Sequence, residues 1–176
     1  AELEWIEMRA QRIATERRLI LIEDEEEPKH FGRGRYDERS PRQLFLLSQR
    51  LREREDAHRS WIDACRAITT GGAPLALDAL CLRCGLDAFQ RTVILLAVAP
   101  CFSQRYEELY GRITGKDLID SLTVEVAYTF AELSFAERVE RRGDFGSRSP
   151  LVSHDLVTIE MSHRYRAAKD LLGADI

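Results

Sequence analysis

The sequence predicts a mainly α-helical fold that ends in a small β-hairpin. Over most of the 176 residues, apolar side chains recur three or four positions apart, which is typical of helices that bury one face. Serine, threonine or aspartate precedes several of these stretches and glycine follows others, as expected at helix ends. After residue 150 apolar residues alternate with polar ones, which indicates strands.

The N-terminal segment predicts an amphipathic helix. Five apolar residues share one face of it: Leu3, Ile6, Ala10, Ile13 and Ile20. In residues 23–39 the pattern is lost among acidic residues, Pro28 and two glycines, so we expect a flexible acidic linker there. The acidic run is either a solvated loop or a tail for a basic partner.

A second long helix is predicted to start at Ser40, with Pro41 at its first position and Gln43 completing a capping box. Its apolar residues follow a seven-residue repeat, interrupted by Arg54 and His58: Leu44, Leu47, Leu51, Trp61, Cys65 and Ile68. Residues 1–72 therefore predict a helical arm with its own apolar cluster. We expect the second stripe to pack against the first helix or against a second copy of the chain.

Residues 73–163 predict several shorter helices around a buried centre. One helix starts at Pro74 and ends at Gly85 in a left-handed cap, and the next starts at Asp87. The latter is apolar on all sides from residue 93 to 99, and we expect Pro100 to end it. Three further starts carry capping residues: Ser103, Thr123 and Ser134.

Two short strands, 151–152 and 156–161, are predicted about a turn at His154 and Asp155. Short helices followed by a two-stranded hairpin are the order of elements in a winged-helix domain, here spanning about residues 75–161. A last helical segment is predicted over 164–172.

Composition excludes several classes of function. The formal net charge of -4 and the pI of about 5.7 give no overall attraction for nucleic acids or anionic membranes. The longest apolar run, residues 93–102, contains a proline and is too short to span a membrane. Four cysteines lie among apolar residues, which favours a reducing compartment, and we expect a cytoplasmic protein. The chain begins with Ala1 rather than methionine, so we expect a fragment or the loss of one residue.

No motif predicts catalysis. Cys81 and Cys84 form a C-x-x-C pair without the second pair that a structural zinc site needs, so we expect reduced, metal-free core thiols. Residues 111–117 have three residues between their glycines and Asp117 after the lysine, which does not fit a phosphate-binding loop. We therefore predict no catalytic, cofactor-binding or metal-binding residue and no enzymatic activity in these residues.

Several segments resemble a known family. They are 85–91 (GLDAFQR), 93–100 (VILLAVAP), 105–110 (RYEELY), 123–124 (TV) and 149–152 (SPLV). Together they resemble the winged-helix domain found N-terminal to the ATPase module in a family of bacterial AAA+ proteins. The resemblance covers about residues 75–173, and 171–173 (LLG) is similar to the junction with that module.

The resemblance implies a regulatory or partner-binding domain of an ATPase, and some family members are encoded beside contractile injection systems. Residues 164–176 would then begin a linker to a C-terminal ATPase module. ATP and magnesium would belong to that parent protein alone. The sequence departs from the family at 116–122 (KDLIDSL), where a basic run is expected.

Two function classes follow. The first is a non-catalytic partner-binding and assembly domain that contacts a protein or self-associates through the arm. The alternative is a winged-helix DNA-binding regulatory domain. DNA binding is disfavoured, because the candidate recognition helix and its approach carry one basic residue, Lys116, against four acidic ones: Asp117, Asp120, Glu125 and Glu132.

Four arginines gather before and in the loop that leads to the predicted hairpin: Arg138, Arg141, Arg142 and Arg148. They are the candidate partner-binding residues. The pattern fits contacts to DNA, contacts to an acidic protein, or a solvated helix face.

Overall fold

The computed structural model describes residues 1–24, 40–69, 75–115 and 122–159 of the chain. These residues form eight α-helices and one 3₁₀ helix, and none of them lies in a strand. The α-helices are α1 (Glu2–Asp24), α2 (Pro41–Thr69), α3 (Ala76–Cys84), α4 (Ala88–Phe102), α5 (Arg105–Thr114), α6 (Val124–Phe130), α7 (Phe135–Glu140) and α8 (Pro150–Ser153). The 3₁₀ helix, Arg141–Phe145, follows α7 directly.

The two long helices α1 and α2 pack side by side in opposite directions. Glu2, at the start of α1, forms an ion pair with Arg66 near the end of α2. Glu16, further along α1, pairs with Arg52 at 2.8 Å. Both predicted helices are confirmed, and so is the start of the second, where the Gln43 side chain accepts from the Ser40 amide at 2.9 Å.

The buried face of α2 keeps a seven-residue repeat but differs from the predicted stripe in its second row, which is 48, 55 and 62 rather than 47, 54, 61 and 68. It consists of Leu44, Ser48, Leu51, Glu55 and Ile62. The burial of Leu44 and Leu51 confirms the predicted contact of this helix with α1. The expectation is wrong further along, where Trp61 is 53% exposed and Ile68 is 82% exposed. The row 47, 54, 61 and 68 lies on the other flank of Leu44 and Leu51, and the flank that packs on α1 holds Glu55, whose carboxylate accepts from Arg9 and Arg12.

The helices share one apolar core. α1 contributes Ile6 and Ala10, both fully buried, and α2 contributes Ile62. The same cluster contains the large side chains of α4, α5, α6 and α8: Phe89, Val93, Leu96, Leu109, Tyr110, Ile113, Val126, Phe130 and Leu151. The expectation that residues 1–72 and the remainder have separate apolar clusters is therefore wrong, because α1 packs directly against α5. Leu44 and Leu51 are buried outside this cluster.

Helix α4 continues through its proline. The Asp87 side chain accepts from the Gln90 amide at 2.8 Å in the predicted capping box, but Pro100 lies inside the helix, which ends at Phe102. The prediction that this proline ends the helix is wrong. A proline near the C-terminus removes one amide donor, and the carbonyl of Leu96 that would have accepted from it accepts from the Tyr110 hydroxyl at 2.7 Å instead.

The other predicted helix ends lie as expected, except that Gln104, and not the predicted Ser103, directly precedes α5; the Ser103 hydroxyl accepts from the Arg105 amide at 3.3 Å. Gly85 and Gly115 close α3 and α5 in the left-handed conformation, with φ of 64° and 74°. The Thr123 side chain caps α6, and Ser134 and Glu137 form a complete capping box at α7.

The first strand of the predicted hairpin is wrong. Residues 151–152 belong to α8, where the Ser149 hydroxyl accepts from the Leu151 amide at 3.1 Å and Pro150 occupies the first turn. Serine before proline is a helix start, and the short helix places Leu151 in the core with no exposed surface. Of the second predicted strand, residues 156–159 are described and are not in a strand.

Several expectations fall outside the described residues. They concern most of the acidic linker (25–39), the helix start at Pro74, the segment 116–121 with its acidic residues, and the last helical segment with the linker that follows it. Residues 23 and 24, assigned to the linker from sequence, belong to α1.

Candidate partner-binding site

The four candidate arginines differ in what they contact. Arg138 lies on α7 and is half-buried. Its Nε donates to the carbonyl of Leu133 at 2.9 Å, and its guanidinium lies 6.0 Å from the centre of the Tyr128 ring. Arg138 therefore serves to fix the turn between α6 and α7, and little of it is available to a partner.

Arg141 connects the 3₁₀ helix to the start of α4. Its Nη1 donates to the carboxylates of Asp87 and Asp144, and its guanidinium lies 5.3 Å from the centre of the Phe89 ring. The hydrogen bond to Asp87 raises the pKa of Arg141. In Asp87 burial opposes the charged form, yet hydrogen bonds from the Gln90 amide and from Arg141 lower the pKa of the carboxyl.

Arg142 and Arg148 are exposed, and neither has a hydrogen bond or an ion pair with any described residue. They are thus the two candidate arginines whose guanidinium groups are available to a partner. The structure divides the predicted set into two residues with internal contacts and two that face solvent.

Helix α7 presents apolar side chains to solvent. Phe135 is 84% exposed and Val139 is 58% exposed, and no residue of the helix is buried. Arg142 follows Val139 by three positions, so these three residues lie on one side of α7 and the turn after it. We call Phe135, Val139 and Arg142 the α7 face. Sequence reasoning identified its arginine but missed its apolar residues.

Helix α6, the predicted recognition helix, turns its apolar side inward. Val126, Ala127 and Phe130 are at most 1% exposed and belong to the core. The segment from 122 to 133 contains no lysine or arginine. This helix therefore presents no basic side chain to a phosphate backbone.

Acidic and basic residues also meet in a buried network that sequence reasoning missed. Arg12, 3% exposed, donates to Glu55 at 2.7 Å and to Glu132 at 2.6 and 3.0 Å. Arg9 donates to the same two carboxylates at 2.8 and 2.9 Å and to the carbonyl of Phe130 at 2.8 Å. The network ties α1, α2 and the end of α6 together. Arg9 and Arg12 stand beside Ala10 and Ile13 of the predicted apolar face of α1, and that position was the signal that could have revealed the network.

The network shifts the protonation equilibria of its members. Burial opposes the charged form of Arg12, but hydrogen bonds to Glu132 and Glu55 outweigh it and raise the pKa of the guanidinium. Burial likewise opposes ionisation of Glu132, and the hydrogen bond from Arg12 nevertheless lowers the pKa of that carboxyl. Both groups are held in their charged forms, as expected of a structural ion pair.

The cysteine pair lies on α3. Cys81 and Cys84 are half-buried and lie outside the core cluster, so the expectation that they are core residues is wrong. Burial raises the pKa of the Cys81 thiol. Across the described ranges no three His, Cys, Asp or Glu residues are grouped as a metal site would require. Among the same residues, no helix is both long enough and apolar enough to cross a membrane.

Of three comparisons with known proteins, one gives a match. Neither the curated proteins nor the solved structures contain a match. A family model, the winged helix domain, variant, matches residues 1–176. Winged-helix domains bind DNA or proteins and are generally non-catalytic. Since the match covers every residue, α1 and α2 included, the chain belongs to the winged helix domain, variant, family.

Proposed function

We propose that the chain is a non-catalytic partner-binding and assembly domain that contacts another protein through the α7 face. The observation that carries the proposal is the exposure of Phe135, 84%, beside Val139. Burying one such side chain is worth about 1.5–3 kcal/mol, so a face that leaves two of them in water favours a protein partner. The solvent-facing Arg142 and Arg148 favour a partner with an acidic rim around an apolar pocket.

DNA binding is the alternative, and charge argues against it. The recognition helix α6 has no basic residue, and the net charge of the whole chain is -4. Two of the four candidate arginines, Arg138 and Arg141, are engaged in internal contacts. Arg142 and Arg148 alone supply little counterion release, on which affinity for a phosphate backbone depends.

The parent protein is proposed to be a cytoplasmic bacterial AAA+ ATPase, with this chain at the N-terminal side of its ATPase module. The resemblance of residues 75–173 to that family supports this proposal. ATP and magnesium would bind to the ATPase module. The reading frame after Ile176 tests the assignment: a strand followed by G-x-x-x-x-G-K-[ST] is expected, and a frame without that motif would contradict it.

The partner proposal is tested by site-specific photo-crosslinking in cells of the source organism. A benzophenone amino acid replaces Val139 in the α7 face, and in a matched control it replaces Val98, 42% exposed on α4. We expect a discrete protein adduct from position 139 and its loss in a Phe135→Asp background. An adduct that survives Phe135→Asp, or one that forms equally from position 98, would count against the α7 face.

A second measurement decides between protein and DNA. Fluorescence anisotropy with a random DNA duplex is followed while the salt concentration is lowered. We expect no saturable binding. Binding that weakens steeply with salt and is lost on changing both Arg142 and Arg148 to glutamate would establish the DNA-binding alternative.

A further inference from the structure

A groove runs between α1, α2 and α5, away from the α7 face. Its volume is about 750 Å³, and leucines of all three helices line it, among them Leu21, Leu47 and Leu109. Such a groove combines an apolar floor with the length of several helical turns, the shape in which an amphipathic helix is bound in other proteins.

The charged residues among the described groove lining are all arginines: Arg17, Arg18, Arg54 and Arg112. This composition contrasts with the net charge of -4 on the chain as a whole. A concentration of one sign of charge around an apolar floor is complementary to a ligand that is apolar on one side and acidic on the other.

Contacts with the C-terminal end of α5 hold Arg17 at the groove. Its Nη1 donates to the carbonyl of Ile113 at 3.1 Å, whereas its Nε is buried without a hydrogen-bond partner among the described residues. The guanidinium also packs against Gly115, where a Cβ atom would lie 2.7 Å from Nη2. These contacts fix the guanidinium at the groove, where its positive charge lies beside the leucines.

The other arginines extend the positive charge along the groove. Arg54 is exposed and has no ion pair with a described residue. It lies three positions after Leu51 and seven after Leu47, on the same side of α2. Within the described part of the chain Arg112 has one ion pair, with Glu108 at 3.8 Å, in which both side chains are more than half exposed. Such a pair contributes little, so the guanidinium can exchange its partner for another carboxylate.

We propose that this groove binds an acidic amphipathic helix of a partner protein, with apolar residues on the leucines and carboxylates opposite Arg17, Arg54 and Arg112. A nucleic acid is a poorer occupant, because single strands are bound largely by stacking on aromatic side chains and no described lining residue is aromatic. The site goes beyond the proposed function, since it is separate from the α7 face and takes a ligand of different shape.

The test uses a designed probe: a fluorescein-labelled peptide of about four helical turns with leucines three and four apart and glutamates elsewhere. A control peptide keeps the leucines and carries lysines instead. We expect the acidic peptide to bind with a Kd on the order of micromolar in fluorescence anisotropy and the lysine peptide not to bind.

Matched variants locate the binding. Arg54→Glu should weaken binding of the acidic peptide at least about tenfold, and Arg54→Gln should weaken it less. Arg83→Glu makes the same charge change at an exposed position of α3, a helix that does not line the groove, and should change the Kd less than about twofold. Circular dichroism checks that each variant is folded, as both positions are exposed.

Three results would overturn the proposal: no binding of the acidic peptide, equal losses from Arg54→Glu and Arg83→Glu, or displacement of the bound peptide by an equimolar thymidine oligonucleotide. None of them bears on the crosslink from position 139, so this site and the α7 face succeed or fail separately. An Arg54→Glu variant that changes the oligomeric state while the peptide does not bind would assign the groove to a second copy of the chain, and would equally overturn it.

Discussion

The hydroxyl of Tyr110 donates a hydrogen bond of 2.7 Å to the carbonyl of Leu96, four residues before Pro100. In an uninterrupted helix the amide at position 100 would donate to that carbonyl, and proline has no amide hydrogen. Tyr110 and Leu96 are both fully buried, so water cannot replace the missing donor. The tyrosine of α5 thereby allows α4 to continue past its proline.

The first prediction is a double-mutant cycle on this relationship. Tyr110→Phe should lower the free energy of unfolding by about 1–3 kcal/mol, because it leaves a buried carbonyl unsatisfied. In a Pro100→Ala background the same change should cost clearly less, since the alanine amide can donate to Leu96. Urea unfolding measures both costs. Equal costs in the two backgrounds would show that the hydroxyl does not compensate for the proline.

The second prediction concerns the buried network of α1 and α2. Arg12→Leu should destabilise the protein by about 1–3 kcal/mol, because the buried carboxylate of Glu55 loses one of its two arginine partners and keeps Arg9. The double variant Arg12→Leu with Glu55→Leu should recover part of this loss. Arg50→Leu, an exposed arginine of α2, is the control and should stay within about 0.5 kcal/mol of the wild type. A double variant less stable than Arg12→Leu alone would refute this account.

The third prediction is a dependence of stability on pH through Glu132. Its folded pKa is lower than its ordinary value of 4.5, since the hydrogen bond from Arg12 outweighs the effect of burial. A lowered carboxyl pKa stabilises the fold above the ordinary value, and this contribution is lost as the pH falls through the folded pKa. The difference in unfolding free energy between wild type and Glu132→Gln should therefore be larger at neutral pH than at about pH 3. An unchanged difference would contradict the ion pair.

The sequence predicted the helices and their ends well, because capping is local chemistry. The side chains that cap these helices each accept from the amide three residues along the chain, so no distant residue has to be known: Ser40, Asp87, Thr123 and Ser134. The sequence could not predict the contacts between residues that are far apart in the chain. Nothing local shows that Tyr110 compensates for Pro100. Similarly, alternation after residue 150 cannot reveal that Leu151 gains more by entering the core on a helical turn.

The candidate site was predicted in its charges and not in its apolar part. Arginines stand out in a sequence, so all four candidates could be named, but Asp87 and Asp144 engage Arg141 only once α4 and the 3₁₀ helix meet. Phe135 looks like a core residue in the sequence. Its exposure follows from the placement of α7 at the surface, which packing between distant segments decides.

The fourth prediction is that α1 belongs to the core of the domain. Ile6→Ala should cost about 2–5 kcal/mol, since Ile6 has no exposed surface and packs with residues of α4, α5 and α6. The control is Ile20→Ala on the same helix, where the side chain is 58% exposed and the loss should be below about 1 kcal/mol. Hydrogen exchange should show α1 and α5 losing protection together in the Ile6 variant. Full protection of α5 with α1 unprotected would instead make α1 a separable arm.

The fifth prediction separates the structural arginine of the 3₁₀ helix from the partner-facing one beside it. Arg141→Ala should lower the free energy of unfolding by about 0.5–1 kcal/mol, because a partly exposed ion pair with Asp87 and the contact with the Phe89 ring are lost. Arg142→Ala should leave the stability within about 0.5 kcal/mol of the wild type, since Arg142 is exposed and has no ion pair with a described residue.

The order of effects should reverse when the crosslink from position 139 is measured in the same two backgrounds. Arg142 belongs to the α7 face, so Arg142→Ala should reduce the yield of the protein adduct, and Arg142→Glu should reduce it further by repelling an acidic rim. Arg141→Ala should leave most of the yield, because its guanidinium is directed at Asp87 and Asp144 rather than at a partner. A yield that follows stability, falling with Arg141→Ala and not with Arg142→Glu, would mean that position 139 reports the integrity of the fold and that the exposed arginine takes no part in binding.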